Sequence, residues 1–388
     1  MTTYKDGVYF GMPAEEYHAI PRLSASGISN ILISPATFWA ASWMNPLKEE
    51  ADEEQTKAQI LGAAYHTARL EPHLFDKLYV RDIAKAEHPK ALMNGTAVGE
   101  ALGELGETKK RAGETAIEQA RRLVDAGYTG EIWQILAEEA DAQRGGRTAI
   151  DAKYYDQIRA DMELIAAAPE INKHLTGGAA EIVILWTDEK SGVLMKSRLD
   201  YLKSAEYTDF KSFANSMGKS LQQLIADAFR YNRYYIQSVV YHDAVESIRG
   251  HAEMPFIFEL QNGEWTMTEN SIITDVATAK RPLDCWYVFQ EKQGIPNLLA
   301  RRVKLYTGPA AGHEVNAAGA EESISEQVAE KTIRKSALHM KAELEIRYAI
   351  RLFKHYCEEH GTDGKPWPPL EPTGEITDDD FNTHWLES

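Results

Sequence analysis

The sequence lacks the features that define several common classes of protein. It has only two cysteines, Cys285 and Cys357, far apart in the chain. We therefore expect neither a disulfide framework nor a four-cysteine iron–sulfur cluster. No uninterrupted apolar run is long enough to span a bilayer, so we expect no membrane partner. The N-terminal residues lack the basic-then-apolar pattern of a signal peptide. The two distant cysteines suit a reducing cytoplasm, which is the location we expect.

Positive charge is also scarce, and a phosphate-binding loop is missing. The chain has 42 lysines and arginines against 59 aspartates and glutamates, a net charge of −17. Because the phosphate backbone dominates non-specific affinity for nucleic acids, this balance disfavours indiscriminate binding. Any contact with DNA must be confined to a local basic surface. The sequence contains no GxxxxGK[ST] loop, so we expect no dependence on ATP.

What is present is the composition of a globular protein with a large core. The 388 residues are 44% hydrophobic and 26% charged, which supplies enough apolar material to offset the entropy of ordering. We interpret residues 1–388 as a single domain. Its parts are a region of turns and helices at 1–76, a helical insertion at 77–165, a region of strands and helix at 166–310, and a helix with a tail at 311–388.

Hydrophobic periodicity and turn signals predict the main elements. Helices are predicted at 23–35 and 59–72, a long helix at 219–248, and another at about 323–360. The apolar stripe of that last helix is predicted to include Ile333, Ala337, Met340, Leu344 and Tyr348. Strands are predicted at 181–186, 193–202 and 206–212, separated by the turns DEKSG and KSAE. Further strands are predicted at 256–260, 286–290 and 299–307.

Within the segment SRLDYLKSAEYTDFKS, two carboxylates and one lysine stand out as a candidate site, namely Asp200, Asp209 and Lys211. Asp209 and Lys211 are two residues apart on a predicted strand, so they share a face. Antiparallel pairing across the KSAE turn would bring Asp200 beside them. Carboxylate oxygens suit Mg²⁺ or Mn²⁺, and a neighbouring lysine can orient a water and stabilise negative charge. An exposed hairpin with ordinary surface charges would have the same spacing, and both interpretations stay open here.

The following helix carries polar and aromatic residues at helical spacing. Gln237 and Tyr241 are four residues apart, and Tyr234 and Arg230 extend the same face towards the N-terminus. Basic and aromatic groups of this kind can contact the phosphates and bases of DNA. A helix that buries its aromatic side would show the same pattern.

Taken together and in order, these segments resemble the exonuclease branch of the PD-(D/E)XK superfamily, which includes RecB-type nucleases and lambda exonuclease. The resemblance is strongest to the RecE type of phages and prophages. The matching segments are EEYHAIPRLSASGISNILISP, GAAYHTARLEP, AEIVILW, KSRLDYL, TDFKS and the Gln-x-x-x-Tyr pair. They cover residues 15–75 and 150–245, with a looser match at 286–303. The implied fold is an α/β restriction-endonuclease-like core, a central mixed β-sheet flanked by helices, with helical insertions.

The resemblance also implies roles for particular residues. Asp200 and Asp209 would bind the metal ion, together with His66, Glu181 and the carbonyl of Phe210. Lys211 would position the attacking water, and Gln237 and Tyr241 would support the site. The residues implied or favoured as DNA contacts are Ser26, Arg230, Arg233 and Tyr234. Outside this context, His66 would be interpreted as an ordinary packed histidine and Ser26 as a helix cap.

The implied activity is Mg²⁺- or Mn²⁺-dependent digestion of linear duplex DNA from its ends, 5′ to 3′, leaving 3′ overhangs for phage-type recombination. The implied partners are double-stranded DNA ends, further copies of the chain in a trimeric or tetrameric ring, and a single-strand annealing protein. Basic residues that could line such a ring are Arg230, Arg233, Arg301, Arg302 and Lys304. The alternatives are an endonuclease or single-strand nuclease on the same core, a non-catalytic binding module, and an α/β protein without a nucleic-acid role.

Overall fold

The computed structural model describes residues 4–48, 56–215, 217–249, 256–292, 297–307, 312–315, 321–324 and 334–370. Two compact units divide the chain. The first unit comprises Met1–Glu53 and Lys173–Ser388, and the second comprises Glu54–Asn172. Among the described residues, no helix combines the length and the apolar character that crossing a membrane requires.

The described residues form strands and helices throughout. The strands are β1 (Gly7–Phe10), β2 (Tyr79–Arg81), β3 (Thr148–Ile150), β4 (Ala179–Thr187), β5 (Leu194–Leu202), β6 (Glu206–Phe213), β7 (Ile257–Gln261), β8 (Glu264–Met267), β9 (Asp284–Glu291), β10 (Leu298–Val303), β11 (Tyr306–Thr307), β12 (Gly312–Val315), β13 (Glu321–Ile324) and β14 (Arg334–Lys335). The helices of the first unit are α1 (Ala14–Ala19), α2 (Ala25–Ile33), α3 (Pro35–Ala41), α11 (Leu221–Tyr231), α12 (Tyr234–Glu246), α13 (Ser271–Thr278) and α14 (Ala337–His360). Those of the second unit are α4 (Lys57–Leu70), α5 (Pro72–Leu78), α6 (Gly95–Glu104), α7 (Ala116–Asp125), α8 (Trp133–Gln143), α9 (Ala152–Ala166) and α10 (Pro169–Asn172), with a short 3-10 helix at Lys85–Glu87.

The first unit is built on an eight-stranded sheet in the order β10-β9-β6-β5-β4-β1-β7-β8. The pairs β6–β9 and β1–β7 are parallel, and the other neighbours are antiparallel. Helices α2, α12 and α14 pack together against one face. The prediction of a central mixed sheet flanked by helices is therefore confirmed.

Strand β4 shows why the centre of this sheet is so apolar. Ile182, Ile184 and Trp186 belong to the main core, whereas Val183 and Leu185 belong to a smaller core on the other face. Since successive side chains of a strand point to opposite faces, a run without polar residues is buried on both sides. Each of these side chains contributes about 1.5–3 kcal/mol when fully buried.

The second unit is mostly helical, and it has a core of its own. Val98, Leu102 and Leu123 are buried where α6 and α7 meet, with Ile132 at the start of α8. Strands β2 and β3 pair in parallel. This helical content agrees with the pattern of the sequence over 77–165.

Two predicted helices have different bounds in the structure. The predicted helix at 219–248 is two helices, α11 and α12, because Arg233 adopts a left-handed backbone conformation with φ of 54°. A right-handed helix cannot continue through such a residue. The predicted helix at 323–360 begins instead at Ala337, where the hydroxyl of Ser336 accepts a hydrogen bond from the amide of His339. Ser323 lies in β13.

The predicted apolar stripe of α14 was also wrong. Met340, Leu344 and Tyr348 are 50%, 73% and 44% exposed, and Ile333 lies outside the described residues. Another side of the helix, with Ala342, Ile346, Ala349 and Ile350, packs in the main core. Both sets recur at helical spacing, so periodicity alone could not distinguish them.

The remaining differences concern strands. The description of residues 1–76 as turns and helices missed β1, which lies inside the sheet between β4 and β7. The strand predicted at 299–307 is divided between β10 and β11. The three strands predicted around the two turns are confirmed as β4, β5 and β6.

Candidate active site on strands β5 and β6

Strand β6 carries Asp209 and Lys211 in direct contact. The Lys211 Nζ lies 2.6 Å from Asp209 Oδ2. In the parallel register with β9, Asp209 is opposite Tyr287 and Lys211 is opposite Phe289. The Asp209 side chain is only 2% exposed and that of Lys211 is 20% exposed, so water screens this ion pair poorly.

Strand β5 places Asp200 next to the same segment. Tyr201 pairs with Thr208 across the hairpin, as predicted from the KSAE turn. One residue further, Asp200 Oδ2 accepts a hydrogen bond of 2.7 Å from the backbone amide of Phe210. The carboxylate is thereby fixed beside the backbone that joins Asp209 to Lys211.

The charge of Lys211 is set by its neighbours. Burial alone would lower the pKa of the ammonium, but the carboxylates of Asp209 and Asp200 outweigh it and raise that pKa above its ordinary range. The ammonium also lies 5.2 Å from the centroid of the Tyr234 ring, a cation–π contact. Lys211 therefore stays protonated in the metal-free protein.

Helix α12 supplies two polar groups to the cluster. The amide nitrogen of Gln237 donates hydrogen bonds to Asp209 Oδ1 at 2.8 Å and to the Tyr241 hydroxyl at 2.9 Å. Burial, followed by the carboxylates of Asp209 and Asp200, raises the pKa of Tyr241 well above its usual value. The hydroxyl therefore stays neutral. Gln237 fixes the orientation of Asp209, and Tyr241 supports Gln237.

Glu181 extends the carboxylate cluster from β4. Ala180 pairs with Tyr201 and Ile182 pairs with Leu199, so Glu181 and Asp200 occupy an irregular position between two regular pairs. Glu181 has a φ of 54°, which is uncommon for a non-glycine residue. Its carboxylate has an oxygen within 4.8 Å of one of Asp200. Oxygens at this separation fit a hard divalent cation.

The other predicted ligands are placed less directly. His66 lies half-buried on α4 of the second unit, and its role as a ligand stays a prediction. The amide of Phe210 contacts Asp200, and a role for its carbonyl also stays a prediction.

The predicted DNA contacts are spread over several elements. Ser26 is exposed in the first turn of α2, and the cap of that helix is Ser24, whose hydroxyl accepts from the amide of Gly27. Arg230 is exposed on α11, over the ring of Tyr231. It is therefore not on the helix of Gln237, contrary to the prediction, because the chain changes direction at Arg233.

The basic residues near β10 are at the surface. Arg301, Arg302 and Lys304 are all exposed. Arg302 forms an ion pair of 3.2 Å with Asp284 on β9. Strand β10 is one end of the sheet, so these side chains can contact a large ligand.

Two cations on β5 were missed from the sequence. Lys196 is buried and donates to the carbonyls of Tyr17, His18 and Ile20, and Arg198 forms an ion pair with Glu181. The signal was present in the sequence: Lys196, Arg198 and Asp200 occupy every second position, which puts them on one face of the strand.

The first unit also contains a cavity of about 440 Å³, with Asp188, Asp243, Glu246 and Arg347 in its lining. That lining contains none of the predicted site residues. This cavity is therefore separate from the carboxylate cluster of Asp200 and Asp209.

Residues 24–264 match the family described as a PDDEXK-like domain of unknown function (DUF3799). The chain is also similar to a crystal structure from Eubacterium rectale described as "Putative exonuclease", with 14% sequence identity and a TM-score of 0.38. The match covers 89% of this chain and 88% of that one. A search of curated proteins found no match. Nucleases of this type generally use divalent metal ions. The chain belongs to the DUF3799 family of PDDEXK-like domains, and so to the PD-(D/E)XK nuclease superfamily.

Proposed function

We propose that this protein is a Mg²⁺- or Mn²⁺-dependent deoxyribonuclease that digests linear duplex DNA from its 5′ ends and leaves 3′ overhangs. The main support is the Asp209 carboxylate, held by Lys211 on one oxygen and Gln237 on the other, with Asp200 anchored to the intervening backbone. Two carboxylates, a cation and a fixed amide form the minimal set for metal-assisted hydrolysis of a phosphodiester.

Asp200, Asp209 and Glu181 would hold the cation, with His66 and the carbonyl of Phe210 as the further ligands that the RecE-type resemblance implies. A bound divalent cation would polarise the phosphodiester and lower the pKa of a coordinated water. The Lys211 ammonium, whose Nζ lies 2.6 Å from Asp209 Oδ2, would orient the water and stabilise negative charge. Gln237 and Tyr241 keep Asp209 in one orientation.

Binding of DNA by so acidic a chain requires local basic surfaces. The exposed residues Arg230, Arg301, Arg302 and Lys304 are candidates for this surface, together with Arg233, Tyr234 and Ser26. In a ring of three or four copies they would face a central channel while the outside stays acidic. Gel filtration that finds only the monomer would exclude the ring. We also propose a cytoplasmic role in phage-type recombination, with a single-strand annealing protein as partner.

The decisive experiment compares linear duplex DNA with closed circular DNA, in Mg²⁺, in Mn²⁺ and in EDTA. Separate labels at the 5′ and 3′ ends report the polarity of digestion. We expect metal-dependent loss of linear DNA only, starting from the 5′ ends, and no activity in Lys211→Ala.

Lys203→Ala is the matched control. Lys203 lies in the turn of the same hairpin and forms an ion pair of 3.1 Å with Glu206, outside the cluster. Lys203→Ala removes a lysine that is 25% exposed, against 20% for Lys211, from an ion pair with a carboxylate, and it should retain activity. Cutting of circular DNA would favour the endonuclease alternative. Failure to cut either DNA in both metals would refute the proposed activity and leave the non-catalytic binding module.

A further inference from the structure

Arg198 is a cation beside the carboxylate cluster, and the proposed mechanism gives it no role. It lies on β5 two residues before Asp200 and forms an ion pair with Glu181. The side chains are 23% and 16% exposed, so the pair is largely shielded from water. Glu181 therefore already has a positive partner in the metal-free protein.

The backbone of Glu181 has a conformation that non-glycine residues rarely adopt. A φ of 54° is unfavourable for a non-glycine residue relative to ordinary strand geometry. Such conformations persist only where the surroundings enforce them, and they concentrate at functional sites. Here the conformation brings the Glu181 carboxylate within reach of both Arg198 and Asp200.

Two carboxylates this close repel one another unless a positive charge lies between or beside them. The guanidinium of Arg198 and a divalent cation are two ways to supply that charge, and both would use the oxygens of Glu181. Lys196 cannot take this role, because its ammonium donates to three backbone carbonyls at 2.8 to 3.2 Å. The two groups therefore compete for one carboxylate.

If a divalent cation displaced Arg198 from Glu181, the guanidinium could donate hydrogen bonds to a phosphate of DNA. Arginine presents five N–H donors in a planar fork that matches the oxygens of a phosphate. Other cations lie in this part of the first unit: burial, followed by the charges of Lys196, Arg198 and Lys48, lowers the pKa of His18. A DNA strand that brings a phosphate to Asp200 would therefore also bring one close to Arg198.

We propose that Arg198 is an exchangeable counter-ion, which neutralises Glu181 while the site lacks metal and contacts a DNA phosphate once a divalent cation has taken its place. This inference rests on the proposed nuclease function, and it assigns to the same site a residue that links metal binding to DNA binding. Arg198 would be a substrate-contacting residue rather than a permanent structural partner of Glu181.

The first test measures Mn²⁺ binding by titration calorimetry, without DNA, for the wild-type chain and for Arg198→Met. Methionine keeps an apolar stem and removes the charge. Without the competing guanidinium, Mn²⁺ should bind at least about tenfold more tightly, the low end of the coupling between close charges. If Arg198 merely orients Glu181, its loss would instead weaken Mn²⁺ binding or leave it unchanged, and the proposal would be wrong.

Arg249→Met is the matched control for charge. Arg249 is 24% exposed and forms an ion pair with Glu246 after the end of α12, so its exposure resembles that of Arg198. Arg249→Met removes one positive charge, as Arg198→Met does, and should leave the Mn²⁺ affinity within about twofold of wild type. An equal gain in both variants would indicate a general effect of net charge and would overturn the specific role of Arg198.

The second test begins with Glu181→Gln, a variant that keeps Arg198 in place. In EDTA, fluorescence anisotropy with a labelled duplex should show that Glu181→Gln binds DNA several-fold more tightly than wild type. The reason is that the glutamine no longer neutralises the guanidinium of Arg198. Adding Arg198→Met to Glu181→Gln should abolish that gain. A gain that survives in the double variant would refute phosphate contact by Arg198.

The outcomes separate this inference from the proposed function. A wild-type chain that binds Mn²⁺ and digests DNA, with Arg198→Met binding Mn²⁺ no more tightly, overturns the inference alone. A wild-type chain that neither binds Mn²⁺ nor digests DNA overturns both.

Discussion

Replacing Lys211 with methionine should destabilise the metal-free protein as well as inactivate it. The lysine neutralises Asp209, whose side chain is 2% exposed. Removing one partner of a buried ion pair leaves the other charge without compensation and typically costs about 3–5 kcal/mol. Gln237 still donates a hydrogen bond of 2.8 Å to Asp209, so we expect the low end of that range, about 3 kcal/mol.

The assay is urea-induced unfolding in EDTA, followed by tryptophan fluorescence. Of the eight tryptophans only Trp133 belongs to the second unit, so the signal reports mainly the unit that contains the site. The double variant Asp209→Asn with Lys211→Met lacks both charges and should recover most of the lost free energy of unfolding. Mn²⁺ should also stabilise Lys211→Met, by about 2.7 kcal/mol at a hundred times its dissociation constant.

A loss of less than about 0.5 kcal/mol for Lys211→Met in EDTA would mean that water screens the pair as it screens a surface ion pair. The charge interactions that raise the pKa of Lys211 would then contribute little to the free energy of unfolding. Loss of stability without recovery in the double variant would instead indicate that the lysine stem, and not its charge, stabilises β6.

Three further predictions concern other parts of the first unit. Gln237→Leu should lower kcat by about 10- to 100-fold, as is usual for residues that orient metal ligands, and Tyr241→Phe should lower it less; steady-state cleavage of linear DNA measures both. Ser24→Ala should cost about 1 kcal/mol of unfolding free energy through loss of the α2 cap, whereas Ser26→Ala should cost almost none in the same urea assay. Burial raises the pKa of Asp243 to about 7, so its ionisation makes stability fall as pH rises from about 4 to 7. Because 35% of that side chain is exposed, screening limits the effect, and Asp243→Asn should gain about 1 kcal/mol over wild type at pH 8 and less at pH 5.

The hairpin that carries the site could be predicted because local signals agree there. The apolar run of β4, the alternation in β5 and the two short polar turns each favour strands. Once β5 and β6 are antiparallel neighbours, Asp200 has to approach the segment of Asp209 and Lys211. The four-residue spacing of Gln237 and Tyr241 likewise predicts that they are neighbours on one helix face.

Other features had no local signal. The break between α11 and α12 falls at Arg233, where neither glycine nor proline marks a turn. The exposed face of α14 carries residues as apolar as the buried face, so only the neighbouring elements decide which side packs. Strand β1 is four residues long and becomes a strand because β4 and β7 supply hydrogen-bond partners on both sides.

The sequence by itself determined the types of residue at the site, their order along the chain and the hairpin that joins two of the carboxylates, because these depend on periodicity and short turns. Only the tertiary structure decided that Gln237 contacts Asp209, that Lys196 is fixed by carbonyls at the C-terminal end of α1, and that Arg198 contacts Glu181. Each of those contacts joins segments that are distant in sequence or at an irregular position of the sheet. Their geometry follows from how the sheet and helices pack, which no local pattern encodes.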